Sequence, residues 1–206
     1  MIVKVCGMRD AENIRQVDEL GTVDWMGFIF FLRSSRHVSE VPTYLPQHSK
    51  RVGVFVNASV EDIACRVKTF GFHLIQLHGH ETPNDILSLR NALGNNVKVI
   101  KMIQISSQED LAKTQQYEGL VDYFLFETKC QGYGGSGQQF DWDILQHYTG
   151  DTPFLITGGI GADDAEKVRA FKHPQWAGID LNSRFETASA FKDVPKIKDF
   201  VEIVKS

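Results

Sequence analysis

A cysteine at the end of the first predicted strand is the residue of this sequence best suited to acid–base chemistry. Cys6 closes the apolar run Ile2–Cys6 and is followed by Gly7, after which Asp10 begins a predicted helix. A thiol becomes a base near neutral pH when its surroundings favour the thiolate. Most free cysteines are small buried hydrophobes, and we expect this of Cys65, which falls within a predicted helix. The position of Cys6 at the carboxyl end of a strand favours a functional role.

A carboxylate ends the sixth predicted strand. Glu127 follows the apolar residues 123–126, which would place it at the mouth of a barrel. Apolar surroundings favour the protonated form of a carboxyl group and make it a candidate general acid. A solvated charge, or a partner for Lys129, explains the same position equally well. Asp122 lies at the opposite end of the strand and is a poor candidate.

Two further loops carry residues suited to binding a phosphate. Gly158 and Gly159 follow the seventh predicted strand, and Asn182 and Ser183 follow the eighth. The loops after strands seven and eight of parallel barrels commonly hold a phosphate through backbone N–H groups. Glycine also lets the backbone approach an anion closely. A Gly-Gly pair alone would usually be a turn, but the two loops together predict a phosphate site.

Four other polar residues occur at or near strand ends. Arg36 follows the second strand, and its planar fork suits a carboxylate held by two hydrogen bonds, although an exposed loop arginine is the simpler explanation. Asp180 lies within the eighth strand and must therefore face water, a ligand or a cation. His78 and His80 lack an obvious third ligand, so we predict polar loop contacts and no metal.

The elements that must position these residues follow a regular order. Apolar runs rich in Val, Ile, Leu and Phe alternate with helical patterns, which is typical of parallel strands buried on both faces. The predicted strands are residues 2–6, 25–31, 51–57, 73–78, 97–105, 123–127, 154–157 and 177–181. This order predicts a (β/α)8 TIM barrel with short loops, and a doubly wound open sheet is the alternative.

Helix boundaries are marked at several places between the strands. Thr82 and Pro83 form a typical helix start, and Gly94 lies where that helix should stop. The run 106–109 has the pattern of a capping box, Ser106 with Glu109, before the fifth helix. The segment 41–50 contains two prolines and is the weakest helix candidate. We assign residues 1–206 to a single domain.

Composition excludes several classes of protein. The chain has 206 residues, 42% of them apolar and 23% charged, with a net charge of −4. The absence of a basic block makes nucleic acid an unexpected partner. No apolar run approaches the ~20 residues of a membrane span. Three widely spaced cysteines and the lack of an N-terminal signal pattern predict a cytoplasmic location. The sequence contains neither a Walker motif nor a dinucleotide-binding motif, so we expect no nucleotide cofactor.

A glycine-rich loop follows the sixth strand at residues 129–139. It contains Gly134, Gly135, Ser136 and Gly137. Such a loop is either a flexible linker or a lid beside the candidate acid. Cys130, in the same loop, has no clear role.

The motifs occur in an order that resembles one known family. They are Lys-Val-Cys-Gly at 4–7, Gly-Phe-Ile-Phe at 27–30, Ser-Ser-Arg-His-Val-Ser at 34–39, Val-Gly-Val-Phe-Val-Asn at 52–57, Ile-Gln-Leu-His-Gly at 75–79, Gly-Gly-Ser-Gly at 134–137, Phe-Asp-Trp at 140–142, Gly-Gly at 158–159 and Gly-Ile-Asp at 178–180. Together they resemble the phosphoribosylanthranilate isomerase family of tryptophan biosynthesis. The resemblance covers the chain from end to end.

The resemblance implies a (β/α)8 barrel that needs no cofactor or metal and acts on a small phosphorylated substrate. The implied reaction is an Amadori rearrangement of N-(5-phosphoribosyl)anthranilate to 1-(2-carboxyphenylamino)-1-deoxyribulose 5-phosphate. By resemblance, Cys6 is the general base and Glu127 the general acid. Arg36 would bind the anthranilate carboxylate, and Asp180 would lie near the substrate amine. The implied phosphate-binding residues are Gly158, Gly159, Asn182 and Ser183.

This chemistry sets requirements for the two proton-transfer groups. Glu127 must start protonated and Cys6 ionised. We therefore expect an apolar wall around Glu127 and positive charge near Cys6.

Three positions depart from the usual family pattern. Glu127 stands where the family usually has aspartate, Ser35 replaces a proline, and residues 182–184 read Asn-Ser-Arg in place of Ser-Ser-Gly. The longer Glu127 side chain leaves open a catalytically impaired relative that only binds ligand. Another phosphosugar isomerase on the same barrel is the second alternative. We expect a monomer or a homodimer.

Overall fold

The computed structural model describes residues 1–128 and 141–206. Eight parallel strands form a closed barrel in which each strand pairs with the next and the first pairs with the eighth. The predicted (β/α)8 barrel is confirmed, and the open sheet is wrong. The strands are β1 Ile2–Cys6, β2 Trp25–Ile29, β3 Lys50–Phe55, β4 Leu74–Leu77, β5 Lys98–Ile105, β6 Tyr123–Thr128, β7 Phe154–Ile156 and β8 Trp176–Leu181.

All eight predicted strands are present, but four are shorter at their carboxyl ends, β2 and β3 by two residues each. The sequence predicts ends at residues 31 and 57 for β2 and β3, whereas these strands end at Ile29 and Phe55. Phe31 and Val56 line a cleft at the barrel mouth. The apolar run continues past the hydrogen-bonded ladder because these side chains form the cleft wall.

The helices surround the barrel. The α-helices are α1 Ala11–Asp18, α2 Val60–Phe70, α3 Pro83–Leu93, α4 Ala165–Ala170 and α5 Val194–Lys205, and 3₁₀ helices cover Gln108–Tyr117, Trp142–His147, Ala162–Asp164 and Ser183–Phe185. After β8, the short strands β9 Glu186–Ala188 and β10 Phe191–Lys192 form an antiparallel pair.

Local side-chain chemistry explains several helix boundaries. The predicted start of α3 is confirmed, because Thr82 and Asp85 cap each other and Pro83 occupies the first helical position. Gly94 ends that helix with φ +68°. The predicted capping box before the fifth helix lies one residue later, at Ser107 and Asp110, because the Asp110 carboxylate, not Glu109, accepts the N–H groups of residues 106 and 107.

The segment 41–50 forms no helix. The Asp18 carboxylate, at the end of α1, accepts the backbone N–H groups of Gln47, His48 and Ser49 at 2.7, 3.2 and 2.9 Å. These hydrogen bonds hold residues 47–49 against the end of α1. The two prolines, which cannot donate a backbone hydrogen bond, favour the same outcome.

An apolar cluster fills the lower part of the barrel, and the polar residues lie above it. The cluster consists of Trp25, Val52, Leu74, Ile100, Met102, Leu125 and Leu155. Side chains two positions apart on a strand point to the same face. Glu127 therefore follows Leu125 on the inner face of β6, and Gln76 follows Leu74 on β4. The fold thus presents inward-facing polar groups at the carboxyl ends of its strands.

Some predictions are not decided by this architecture. None of the described helices is long and apolar enough to cross a membrane. The glycine-rich loop, with Cys130 and residues 134–137, lies outside the described residues. The assignment of residues 1–206 to one domain stays a prediction.

Candidate active site

The structure brings all the predicted site residues to one cleft at the carboxyl ends of the strands. The cleft holds about 840 Å³ of empty space. The predicted residues that line it are Cys6, Arg36, Glu127, Gly158, Gly159, Asp180, Asn182 and Ser183. Their roles toward a substrate stay predictions, whereas their common location is observed.

Cys6 lies above a buried ion pair. Lys4, two residues earlier on the same face of β1, is 0% exposed, and its Nζ is 2.9 Å from Asp180 Oδ1 on the neighbouring β8. Register explains the contact, because Lys4 and Asp180 are directly paired between the two strands. The expected positive charge near Cys6 is therefore present.

The charge near Cys6 does not outweigh its burial. Burial raises the pKa of the Cys6 thiol above its ordinary value, and the ammonium groups of Lys4 and Lys192 offset this only in part. Burial alone would lower the pKa of Lys4, but the charges of Asp180 and Cys6 raise it overall, so Lys4 keeps its proton. A raised pKa favours the protonated thiol of Cys6, whereas the sequence leads us to expect a resting thiolate.

Glu127 faces a histidine as well as apolar side chains. His78 Nε2 is 3.2 Å from Glu127 Oε2, and the Gln76 amide nitrogen is 2.9 Å from His78 Nδ1. Because an amide nitrogen only donates, Nδ1 accepts, and in neutral His78 the proton lies on Nε2. His78 then donates to Glu127. Val54 and Ile29 line the same cleft, so this cleft combines apolar side chains with the polar contacts of Glu127.

The Arg36 side chain binds a carboxylate of its own chain. Its Nε and Nη2 donate to Glu186 Oε1 and Oε2 at 2.8 and 2.6 Å. Lys192 Nζ lies 2.7 Å from Glu186 Oε1. Burial alone would raise the pKa of Glu186, but the hydrogen bonds and charges of Arg36 and Lys192 outweigh it and lower that pKa. Glu186 is therefore ionised near neutral pH.

The predicted phosphate loops have the backbone that the sequence indicates. Gly158 and Gly159 have φ of +96° and +70°, in the left-handed region that favours glycine. A Cβ on Gly158 would also lie 2.8 Å from Thr128 Oγ1. Asn182 accepts a hydrogen bond from Lys192 Nζ at 2.8 Å through Oδ1, which leaves its amide N–H groups as donors for an anion.

Other polar residues singled out in the sequence are placed elsewhere. Asp122 lies at the amino end of β6, where it binds Arg90 and the Val99 N–H, so it has a structural role. Cys65 is exposed on α2, so the prediction that it packs in the core is wrong; the apolar stripe of that helix runs through other positions. Within residues 1–128 and 141–206, no cluster of three or more His, Cys, Asp or Glu could hold a metal.

Four polar residues around the site were not predicted from the sequence. They are Lys4, Gln76, Glu186 and Lys192. For the first two a signal exists, because each is a polar residue inside an apolar strand, on the same face as a residue at the strand end. Glu186 and Lys192 gave no local signal, since their contacts depend on the folded β9–β10 pair.

Comparison with known proteins identifies relatives along the whole chain. The family model described as N-(5'phosphoribosyl)anthranilate (PRA) isomerase matches residues 3–203. The N-(5'-phosphoribosyl)anthranilate isomerase of Phocaeicola vulgatus is 52% identical over 205 residues, which covers 100% of this chain and 98% of that protein. The corresponding protein of Parabacteroides distasonis is 48% identical over 208 residues, with 98% and 92% covered.

Solved structures agree with these matches. Phosphoribosyl anthranilate isomerase from Thermotoga maritima has a TM-score of 0.80 and 28% identity, with 100% of this chain and 99% of that chain covered. A phosphoribosyl anthranilate isomerase in complex with reduced 1-(o-carboxyphenylamino)-1-deoxyribulose 5-phosphate has a TM-score of 0.76, 25% identity and the same coverage. The resemblance seen in the sequence is confirmed: this chain belongs to the N-(5'-phosphoribosyl)anthranilate isomerase family, the isomerases of tryptophan biosynthesis.

Proposed function

We propose that this chain converts N-(5-phosphoribosyl)anthranilate to 1-(2-carboxyphenylamino)-1-deoxyribulose 5-phosphate, with Cys6 as general base and Glu127 as general acid. The observation that carries the proposal is that a thiol and a carboxyl group line one cleft in a member of this family. A relative of the same fold is solved with the reduced form of this product.

The reaction needs one proton donated and one removed. Glu127 donates a proton to the furanose ring oxygen, the bond from that oxygen to the anomeric carbon breaks, and the nitrogen lone pair forms a protonated Schiff base. The Cys6 thiolate removes the proton from the adjacent sugar carbon, and the released electron pair forms an enolamine. The enolamine tautomerises to the ketone. Glu127 regains its proton from the Cys6 thiol through water, so the cycle has no net proton uptake.

The other residues bind the two ends of the substrate. Arg36 holds the anthranilate carboxylate, and Asp180 lies near the amine. The phosphate is bound by the two loops after β7 and β8, which contribute Gly158, Gly159, Asn182 and Ser183. Support comes from the left-handed glycines, which bring backbone N–H groups close to an anion, and from the amide donors of Asn182.

The protein works without cofactor or metal and has no nucleic-acid or membrane partner in this proposal. We place it in the cytoplasm, which fits the free thiols of Cys6 and Cys65. It is a monomer or a homodimer. A Thermotoga maritima relative with a TM-score of 0.78 is described as monomers generated from a dimeric enzyme.

Substitution of the two proton-transfer residues tests the proposal. Cys6→Ala and Glu127→Gln should each lower turnover at least ~100-fold, the usual contribution of a positioned acid or base. Both variants should still bind the reduced product. Cys65→Ala, which removes the exposed cysteine of α2, is the matched control and should keep full turnover. Disappearance of the fluorescence of the anthranilate adduct measures the rate.

The Glu127→Asp variant tests the departure from the family pattern. The shorter side chain withdraws the carboxyl group from His78 Nε2, now 3.2 Å away. We expect turnover to fall about tenfold, because small displacements of a catalytic group are costly. A faster Glu127→Asp enzyme would mean that glutamate is a tolerated compromise. A wild-type protein that binds the reduced product without turnover would be the impaired relative, and the proposal would fail.

A further inference from the structure

Two buried charged groups of the β9–β10 pair contact residues that line the cleft. Glu186 begins β9, and Lys192 ends β10. The side chain of Glu186 is 6% exposed, and that of Lys192 is 0% exposed. Both backbone groups of Lys192 are held by Asn13 on α1, whose Oδ1 accepts its N–H at 2.7 Å and whose amide donates to its carbonyl at 2.9 Å. The two charges therefore sit on a fixed backbone.

The two charged groups connect the binding residues proposed for opposite ends of the substrate. Glu186 holds Arg36 through both carboxylate oxygens. Lys192 Nζ binds Glu186 Oε1 and Asn182 Oδ1 at 2.7 and 2.8 Å. A continuous series of hydrogen bonds thus runs from Arg36 to the loop after β8.

The turn after Cys6 lies against this series. Gly7 has φ +79°, and a Cβ built there would lie 2.6 Å from Arg36 Cδ and 2.9 Å from Asn182 Oδ1. Only glycine fits this position, both for its backbone and for the space. The Arg36 side chain is therefore held from below by Gly7 and from the side by Glu186.

The geometry of the Arg36 fork leaves one edge for a second carboxylate. Glu186 takes the edge formed by Nε and Nη2. The other edge, formed by one N–H of Nη1 and the second N–H of Nη2, makes no hydrogen bond to the described residues. A guanidinium can bind a carboxylate through two parallel N–H groups on this edge as well.

Lys192 determines the charge available on that edge. Arg36 and Glu186 alone would sum to zero and would attract an anion weakly. Burial lowers the pKa of Lys192, and the charge of Glu186 opposes this effect. With Lys192 protonated, the three side chains carry a net charge of +1, from two cations and one anion. The lysine thereby lets Glu186 position Arg36 without cancelling its attraction for a second carboxylate.

We propose that Glu186 and Lys192 are positioning residues that fix Arg36 with one edge open and so set the preference of this enzyme for a substrate that carries a carboxylate. The inference rests on the proposed function, in which Arg36 binds the anthranilate carboxylate. It assigns that preference to the ion-paired group Arg36–Glu186–Lys192, not to the arginine alone.

Binding of two ligands measures the preference without involving catalysis. One ligand is reduced 1-(o-carboxyphenylamino)-1-deoxyribulose 5-phosphate, and the other is the same compound made from aniline, without the carboxylate. The ratio of their dissociation constants, from isothermal titration calorimetry, isolates the carboxylate. Any effect of Lys192 on the phosphate or on Asn182 is common to both ligands and cancels.

Charge-changing variants give the expected pattern. Lys192→Met should reduce the ratio about tenfold, the loss expected for one charged hydrogen-bonded contact. Glu186→Gln should reduce it about threefold, because its amide group replaces one acceptor by a donor facing Arg36. The double variant restores the net charge of +1 and should regain part of the Lys192→Met loss. Lys101→Met removes another buried lysine, which is paired with Glu81 outside the cleft, and should leave the ratio unchanged.

The outcomes distinguish failure of this inference from failure of the proposed role of Arg36. If Arg36→Gln leaves the wild-type ratio intact, the carboxylate is bound elsewhere, and the proposed role of Arg36 fails together with the inference. If Arg36→Gln abolishes the preference but Lys192→Met and Glu186→Gln preserve it, the inference alone is overturned. A higher ratio in Glu186→Gln would mean that Glu186 competes with the substrate, which also overturns it. Strictly additive losses in the double variant would indicate a general structural role and count against it.

Discussion

Replacement of Lys4 by methionine should make Cys6 harder to ionise. Lys4 is fully buried two residues before Cys6, and its ammonium lowers the pKa of the thiol, although burial keeps that pKa raised overall. Methionine keeps the apolar volume and removes the charge. The burial that raises the pKa of Cys6 therefore persists, and the main charge that opposes it is lost.

The size of the shift follows from two opposing charges. A unit charge about 4 Å away contributes roughly 4 kcal/mol at an effective dielectric constant of about 20, which is about three pKa units. Asp180 raises the pKa of Cys6 and so opposes Lys4. Without Lys4, the buried Asp180 carboxylate loses its partner at 2.9 Å and takes up a proton, which removes its opposing effect. The net increase is therefore the difference between two similar quantities, about one unit.

Alkylation of Cys6 by iodoacetamide at different pH values measures this shift directly. Only the thiolate reacts, so an increase of about one unit should slow alkylation about tenfold at neutral pH and move its midpoint upward. Mass spectrometry distinguishes the Cys6 peptide from that of Cys65. Cys65 is exposed on α2 and should react at the same rate in both proteins, which makes it an internal control.

Two results would refute the reasoning. An unchanged or lower midpoint in Lys4→Met would show that Lys4 does not stabilise the thiolate. Asp180→Asn should move the midpoint down, because it removes a charge that raises the pKa of Cys6, and a shift upward there would contradict the same electrostatic account. Removing one partner of a buried ion pair costs about 3–5 kcal/mol, so circular dichroism must show that each variant is folded.

Two further substitutions test the fold around the site. Gly7→Ala should raise KM more than it lowers kcat, because the added Cβ would displace Arg36. It should also cost at least about 1 kcal/mol of stability, because the backbone has φ +79°. An unchanged KM would contradict this prediction. Asp18→Asn should lower the free energy of unfolding by about 2 kcal/mol at about pH 7. Burial alone would raise the pKa of Asp18, but hydrogen bonds from residues 44 and 47–49 outweigh it and lower that pKa. The stability that the carboxylate contributes is therefore present above the unfolded pKa of about 3.9 and is lost as the pH falls through the folded pKa. Urea titrations should therefore show the two proteins converging in acid; a constant difference would exclude the carboxylate as the cause.

The barrel could be predicted because parallel strands buried on both faces must be continuous apolar runs. All eight were found in this way, and errors came where the same chemistry serves another purpose. Phe31 and Val56 extend the apolar runs of β2 and β3, but they lie past the hydrogen-bonded part of each strand and line the cleft. The capping residue before the fifth helix was misassigned because Glu109 and Asp110 are adjacent carboxylates, and only the folded backbone decides which one reaches the free N–H groups.

The candidate site, too, could be predicted from the sequence only in part. Cys6, Glu127 and Asp180 could be located because strand ends of a parallel barrel meet at one place. The partners of Arg36 could not, since Glu186 lies 150 residues away in sequence and reaches it only after β9 and β10 pair. The raised pKa of Cys6 also escaped prediction, because a nearby cation and burial act in opposite directions and their balance depends on the folded structure.

A buried thiol with a raised pKa can still act as the base of the proposed reaction, because the charge around it changes during turnover. Ring opening precedes proton removal, creates a cationic Schiff base and leaves Glu127 as a carboxylate that can take up the Cys6 thiol proton through water. Such a cation favours the thiolate of a nearby cysteine. The Asp180 carboxylate, which otherwise disfavours the Cys6 thiolate, is already held by Lys4 at 2.9 Å and has limited capacity to neutralise the new cation. Acid catalysis by Glu127 would therefore prepare the site for base catalysis by Cys6, and the order of the two steps would follow from electrostatics.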